Sequence, residues 1–406
     1  MAQTSLERQS IAYVTILHGL LHVLELAFGV VLIAVAADLG VTLLVLGVLA
    51  NIFGFAYGFT AMPVGVLTDR MSETRLLAVC SLGIGAASAG VALSQGTVSL
   101  GIALAVLGIA LGIFHPVAMT FISRVATKVG LGYAYLGTGG NLGLALGPII
   151  TGAIAAGLGW RVAYAVFAVP CIILGLLILR LPKHIRPPAV LHDNPAVDKG
   201  IRVLRPVAVP LALILASNIM NGLVYRGVLT FLPIHLSESV TSSIAGVDPV
   251  MLGGSFTTVA LIFGVGGQFM GGYLSDRKSR ELLALIAVAI SGPALFGVWS
   301  FGGAALLGFA ALFAFFHFMT QPVYNALIAD YCPDSWRGRM FGIYFFCAFG
   351  VGSFSASGMG YVAESQGITT VFLVCAFMGI ISIFIMVPLL LRARRKAKVV
   401  SSVDNG

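Results

Sequence analysis

Residues 65–70, Gly-Val-Leu-Thr-Asp-Arg, return as residues 272–277, Gly-Tyr-Leu-Ser-Asp-Arg, so Gly, Leu, Asp and Arg repeat at a constant offset of 207, with Ser72 and Ser279 following in register. Further along, Pro116-Val117 and Ile122 meet Pro322-Val323 and Ile328 at an offset of 206. Self-similarity at one fixed spacing is the mark of a repeated architecture. The chain reads as two halves built on one plan.

Working outward from the repeat, each copy follows a long apolar stretch. Of the 406 residues 59% are hydrophobic and only 9% charged, against roughly 25% charged in soluble globular domains. That shortage excludes a water-soluble fold, and a mean hydropathy of +1.03 excludes disorder, which needs polar, highly charged sequence. An all-α membrane protein remains. A bilayer core of about 30 Å takes roughly 20 apolar residues per helical span, and such stretches fall near 11–37, 43–66, 76–95, 99–123, 131–157, 161–181, 207–236, 249–274, 282–301, 303–329, 338–363 and 368–391. The first is far longer than a signal-peptide core of about 7–15 residues and carries His18, His22 and Glu25, so it is read as a span.

Twelve transmembrane helices in two six-helix repeats are therefore expected. Residues 1–181 form the first bundle, 182–205 a proline-rich basic linker, 206–391 the second bundle and 392–406 a basic tail. An even number of spans puts both termini on one side. Of 23 Lys and Arg, 21 lie on that side, the exceptions being Arg161 in an opposite loop and Arg226 within a span. The positive-inside rule makes the termini and linker cytoplasmic, in the cell membrane. The net charge of +8 is thus a topology signal, and no nucleic-acid partner is expected because the charge is not clustered for a strand or duplex. Cys80, Cys171, Cys332, Cys347 and Cys375 are odd in number with no close pairing. They read as small core residues, not as disulfides or a zinc site.

The twice-repeated G-x-L-x-D-R resembles the loop motif of the major facilitator superfamily, and the resemblance spans essentially the whole chain. It implies the major facilitator fold, with the two halves rocking about a central site, and conformational roles for Asp69, Arg70 and Arg75 and for Asp276, Arg277 and Arg280. Ser72 and Ser279 replace the motif's glycine, and Glu73 stands where the first copy should carry its next arginine. Gly143-x-x-x-Gly147-Pro148, followed by Gly152, resembles the superfamily's antiporter motif. The run Phe114-His115-Pro116, followed by Gly139-Gly140-Asn141-Leu142-Gly143, together with His18, resembles the fosmidomycin-resistance branch, whose members are drug efflux proteins. If the superfamily resemblance holds, spans 1, 4, 7 and 10 line a central cavity.

Ionisable groups at membrane depth cost several kcal/mol unless paired or hydrated, so each is a functional candidate. His18, His22 and Glu25 are spaced i, i+4, i+7 and, at about 100° per residue, share one face of span 1. In span 7 Asn218, Asn221 and Tyr225 share a face, with Arg226 adjacent. Spans 4 and 10 add His115, then His317, Gln321, Tyr324 and Asn325. Bland readings stand beside these. His317 alone would pass as a helix-to-helix hydrogen-bond partner, and His235, near an outer helix end, reads as interfacial. Glu25 and Arg226 are either a structural ion pair between the halves or a proton site beside an anion site. Gly143, Gly147 and Gly152 either gate or simply let helices pack closely, with Pro148 adding a bend.

The histidine spacing in span 1 would also suit a metal, but no Glu follows His18, so there is no H-E-x-x-H motif. The expectation is a proton path and no metal. No phosphate-binding glycine loop followed by Lys-Ser/Thr is present, so no nucleotide-driven pump and no cofactor are implied. The sequence thus predicts a non-enzymatic secondary transporter that exports a small anionic or amphiphilic organic compound or drug against protons. Glu25, His18 and His22 would carry the proton, Arg226 would meet the substrate's negative group, and His115, Asn141, Asn221, Tyr225, His317 and Gln321 would orient it. Proton-coupled uptake of an organic anion is the alternative, with a metal transporter or an intramembrane enzyme behind it. Two complete halves predict a functional monomer in the lipid bilayer.

Overall fold

The computed structural model describes residues 5–68, 71–127, 129–182, 200–240, 247–333 and 337–404. Asp69, Arg70 and linker residues 183–199 lie outside the described residues. Among the described residues twelve helices are long and apolar enough to cross a bilayer: α1 (Ser5–Leu39), α2 (Leu43–Gly65), α3 (Glu73–Ala92), α4 (Thr97–Ile122), α5 (Tyr135–Leu158), α6 (Trp160–Leu179), α7 (Leu204–Ser239), α8 (Pro249–Ser275), α9 (Arg280–Ser300), α10 (Gly303–Tyr331), α11 (Arg339–Gln366) and α12 (Ile368–Arg395). Helices are the only open-ended elements that satisfy every backbone group inside lipid. The outward faces carry Phe269, Phe384, Ile102 and Val98, each more than 60% exposed, which is a lipid-facing belt. The helix that contains α12 runs on through the basic residues to Asp404, so the tail begins as a continuation of the last span.

Helix packing inside each half is set by small residues. In the parallel pair α1 and α5, a Cβ placed on Gly139, Gly143 or Gly147 would strike Thr15, Gly19 or Val23, a register with a constant offset of 124. Close backbone approach through small residues is how membrane helices gain packing energy without a hydrophobic driving force. In the other half Gly222 of α7 meets Ala348 and Gly352 of α11 in the same manner.

Between the halves the closest approaches are again through glycine. Gly47 meets Ala356 and Gly58 meets Gly350 along α2 and α11, Gly152 meets Gly254 across α5 and α8, and Gly29 meets the Leu229 carbonyl across α1 and α7. The Thr258 hydroxyl accepts the Ile149 N–H across the α5–α8 seam at 3.0 Å. These contacts run from the middle of the helices toward the ends remote from the termini. The cavity lies on the other side of them, toward the termini.

Two local irregularities face that cavity. The helix of α4 is interrupted at Ile113 between Thr97–Gly112 and Phe114–Val125, because Pro116 lacks the N–H that the Gly112 carbonyl would take. In α11 a π-helical turn covers Phe346–Val351, a form of bulge frequent at functional sites.

Candidate functional site

A cavity of about 340 Å³ is lined by His18 and His22 of α1, His115 of α4, Asn141 of α5, Asn221 and Tyr225 of α7, and His317 and Gln321 of α10. The structure thus brings together eight of the residues expected from the sequence. Glu25 and Arg226 stand behind this wall. Arg226 is 6% exposed, lies 4.0 Å from the Glu25 carboxylate and packs over Phe53. Its Nε and Nη2 have no hydrogen-bond partner. Arg226 and Tyr225 are consecutive on one helix and point about 100° apart, so Tyr225 takes the cavity face and Arg226 the buried one.

Three hydrogen bonds run in series through α1. His18 Nδ1 meets the Leu136 carbonyl at 2.7 Å, His18 Nε2 meets His22 Nε2 at 3.0 Å, and His22 Nδ1 meets Glu25 Oε2 at 2.7 Å. Tyr225 donates its hydroxyl to the other carboxylate oxygen at 3.0 Å, which ties the chain to the second half. The protons in this series can be counted. A carbonyl only accepts, so His18 donates from Nδ1 and presents a lone pair at Nε2. An ionised Glu25 only accepts, so His22 also donates from Nδ1 and presents a lone pair at Nε2. Two lone pairs then face each other at hydrogen-bonding distance. Two neutral imidazoles and a carboxylate supply two protons for three bonds, and one further proton closes the series.

His115 completes the polar wall. Its ring lies edge-on to His18 at 5.2 Å and is stacked on Phe345 at 5.8 Å, and its Nε2 is buried with no hydrogen-bond partner. His317 stacks on Phe313 and Tyr225, with Nδ1 unpartnered. Gln321 accepts from Gln268 of α8 at 3.2 Å. Gln268 also lines the cavity and was missed by sequence reasoning. Its signal was an amide set in the glycine-rich apolar run 264–272. His235, four residues from the end of α7 as expected, is 2% exposed, with Nε2 donating to the Val298 carbonyl at 3.0 Å and its ring stacked on Phe372.

The antiporter-like glycines pack α5 on α1. A Cβ on Gly140 would run into the His18 ring and one on Gly143 into the Gly19 carbonyl oxygen. Pro148 presents its carbonyl to Gly254 at the seam between the halves.

In the loop motifs, Arg280 donates to the Ser275 carbonyl at 3.1 Å, pairs with Asp330 at the end of α10 and lies 3.8 Å from Asp276. Arg277 covers the Tyr273 ring at 3.7 Å, and Arg75 is exposed. The first half holds the same bridge with its charges exchanged. Glu73, at the position of Arg280 by the 207 offset, pairs with Arg124, at the position of Asp330 by the 206 offset. Glu73→Arg alone sets like charges together and should lower the melting temperature. Adding Arg124→Asp should restore it, with a coupling on the order of 1 kcal/mol for a partly exposed pair. Additive effects in a thermal double-mutant cycle would show the pair to be idle.

The family model for the Major Facilitator Superfamily matches residues 14–357. The chain is 25% identical over 366 residues to YfnC, an uncharacterized MFS-type transporter of Bacillus subtilis (strain 168), covering 85% of this chain and 84% of that one. It is 24% identical to the fosmidomycin resistance protein of Escherichia coli (strain K12), with 86% of each covered. Its fold is similar to a bacterial homolog of the human lysosomal transporter Spinster in an inward-facing, unoccupied conformation, with TM-score 0.79 and 14% identity over 96% of this chain and 98% of that one.

Proposed function

The chain belongs to the Major Facilitator Superfamily of secondary transporters, and on that premise we propose that it exports a small anionic or amphiphilic organic compound in exchange for protons. The observation that carries the proposal is the hydrogen-bonded series from Leu136 through His18 and His22 to Glu25, whose three bonds need one proton more than two neutral imidazoles and a carboxylate supply. The Nε2 atoms that need the missing proton belong to histidines that also line the cavity. A solute that places an O–H or N–H donor between them takes the proton's place, so solute and proton exclude each other, which is the requirement for exchange. Asn141, Asn221, Tyr225, His317 and Gln321 surround the same space and supply orienting hydrogen bonds. The likeness to the fosmidomycin resistance protein supports export.

A second reading rests on Arg226. A solute carrying only a negative group would be attracted by the proton-loaded series on the cavity wall, with the Arg226 guanidinium behind it leaving the charge uncompensated and making no contact, so anion and proton would bind together and move together. That is proton symport of an organic anion. In both readings rocking is carried by the glycine seams and by the loop residues Asp69, Arg70, Arg75, Asp276, Arg277 and Arg280. The protein works as a monomer in the cell membrane with both termini cytoplasmic. Mass in nanodiscs tests the first of these assignments, and protease access to the tail in sealed vesicles tests the second.

The experiment for coupling is purified protein in liposomes enclosing a pH-sensitive dye, given a panel of organic anions and amphiphilic drugs under an imposed pH gradient. Export by exchange predicts substrate-dependent proton flux opposite to the solute, and symport predicts flux with it. Saturable solute counterflow with no proton movement would remove proton coupling from the assignment.

A further inference from the structure

We infer that His18, His22 and His115 together bind a borderline divalent transition cation of the zinc and cobalt class, with its fourth coordination position on the cavity. One imidazole nitrogen of each lies within 4.8 Å of the other two. The His18 and His22 Nε2 atoms are 3.0 Å apart, and tetrahedral zinc–nitrogen bonds of about 2.0–2.1 Å hold their nitrogens roughly 3.3 Å apart. The first two ligands are therefore almost in place. The third has at most about 1.5 Å to travel, within reach of a turn of the His115 ring.

The surroundings favour a cation over mere packing. His18 and His22 each bond outward from Nδ1, to the Leu136 carbonyl and the Glu25 carboxylate. Outer partners of this kind fix a ligating histidine's tautomer and raise its basicity. Both Nε2 lone pairs are consequently left to the cluster, to which His115 brings one ring nitrogen; its Nε2 is buried and unpartnered. Three nitrogens with no directly placed carboxylate suit zinc, cobalt, nickel or copper and disfavour magnesium and calcium, which seek oxygen. The sequence spacing of His18 and His22 alone led to the expectation of no metal, because α4 supplies the third ligand only in the fold.

The test uses full-length protein, freed of any affinity tag, in detergent and metal-free buffer, titrated with Co²⁺ alone. The expected result is one equivalent bound per chain with the intense visible absorption of four-coordinate cobalt, displaced by Zn²⁺ but not by Mg²⁺. Glu25→Gln, which removes an outer partner, should weaken binding about 10–100-fold, and His115→Ala at least ~10-fold. His115→Gln, closer in volume, substitutes if the alanine variant does not purify as a single species. No saturable absorption, or unchanged affinity in both His115→Gln and His18→Gln, would overturn the inference. Binding is read without any gradient, so the failure of proton-coupled transport leaves this result untouched, and the reverse also holds.

Discussion

Glutamine in place of Glu25 will leave the protein folded and able to exchange solute across a membrane, and will reduce accumulation driven by a pH gradient to that of protein-free liposomes. The reason is electrical. Glu25 and Arg226 cancel each other when the histidine series lacks its extra proton, and the loaded series carries one net positive charge. Glu25→Gln has that same net charge permanently, so it mimics the loaded state and can no longer release or regain the proton. Under the proposed exchange the loaded state is visited in every cycle, so the fold must tolerate it. If the pair were structural only, removing one partner of a buried ion pair would cost about 3–5 kcal/mol, and thermal unfolding would report it. Retained pH-driven accumulation, or a loss of stability of that size, would return Glu25 to the role of counter-ion for Arg226.

The second large effect is expected at Gly143. Gly143→Val pushes a branched side chain against the Gly19 backbone, and neither helix can yield without shifting the ladder Thr15–Gly139, Gly19–Gly143, Val23–Gly147. Overpacking a core usually costs 1–3 kcal/mol, occasionally more. Here the obstacle is main chain, so the variant should fall at or beyond the upper end and lose its monodisperse peak in size-exclusion chromatography. Gly137→Ala is the control: a Cβ there meets nothing within 4 Å, and its stability should hold or rise by up to about 1 kcal/mol, since alanine is the better helix former. Equal behaviour of the two variants would mean that the α1–α5 contact is not what holds this half together.

Most of the fold was legible because a bilayer leaves the backbone so few choices. The twelve stretches 11–37 to 368–391 became α1 to α12 with ends displaced by a few residues. The shared face of His18, His22 and Glu25 followed from helical periodicity alone. The convergence of His115, His317 and Asn141 on one cavity needed the family resemblance, since the 206 offset relates α4 to α10 but no spacing says which helices line a chamber. Arg226 was expected to meet the solute's negative group because it is the basic residue within a span and a guanidinium suits an anion; adjacent helical residues diverge by about 100°, and it stands behind the cavity wall that Tyr225 lines. Glu73 read as a defect in the repeated motif. It is one end of a charge-exchanged bridge, and carrying Asp330 back by 206 positions to Arg124 would have revealed it. Gln268 had only weak local signal, an amide among glycines.

The seams between the halves have a mechanical consequence. Gly47, Gly58, Gly152 and Gly254 bring main chain against main chain, so separation along those lines extracts few interlocked side chains. A joint of that kind behaves as a bearing: smooth, short-ranged in its grip, with little to ratchet past. On the proposed cycle the work of reversal would then be set by what occupies the chamber, and the hinge itself would contribute little to the barrier.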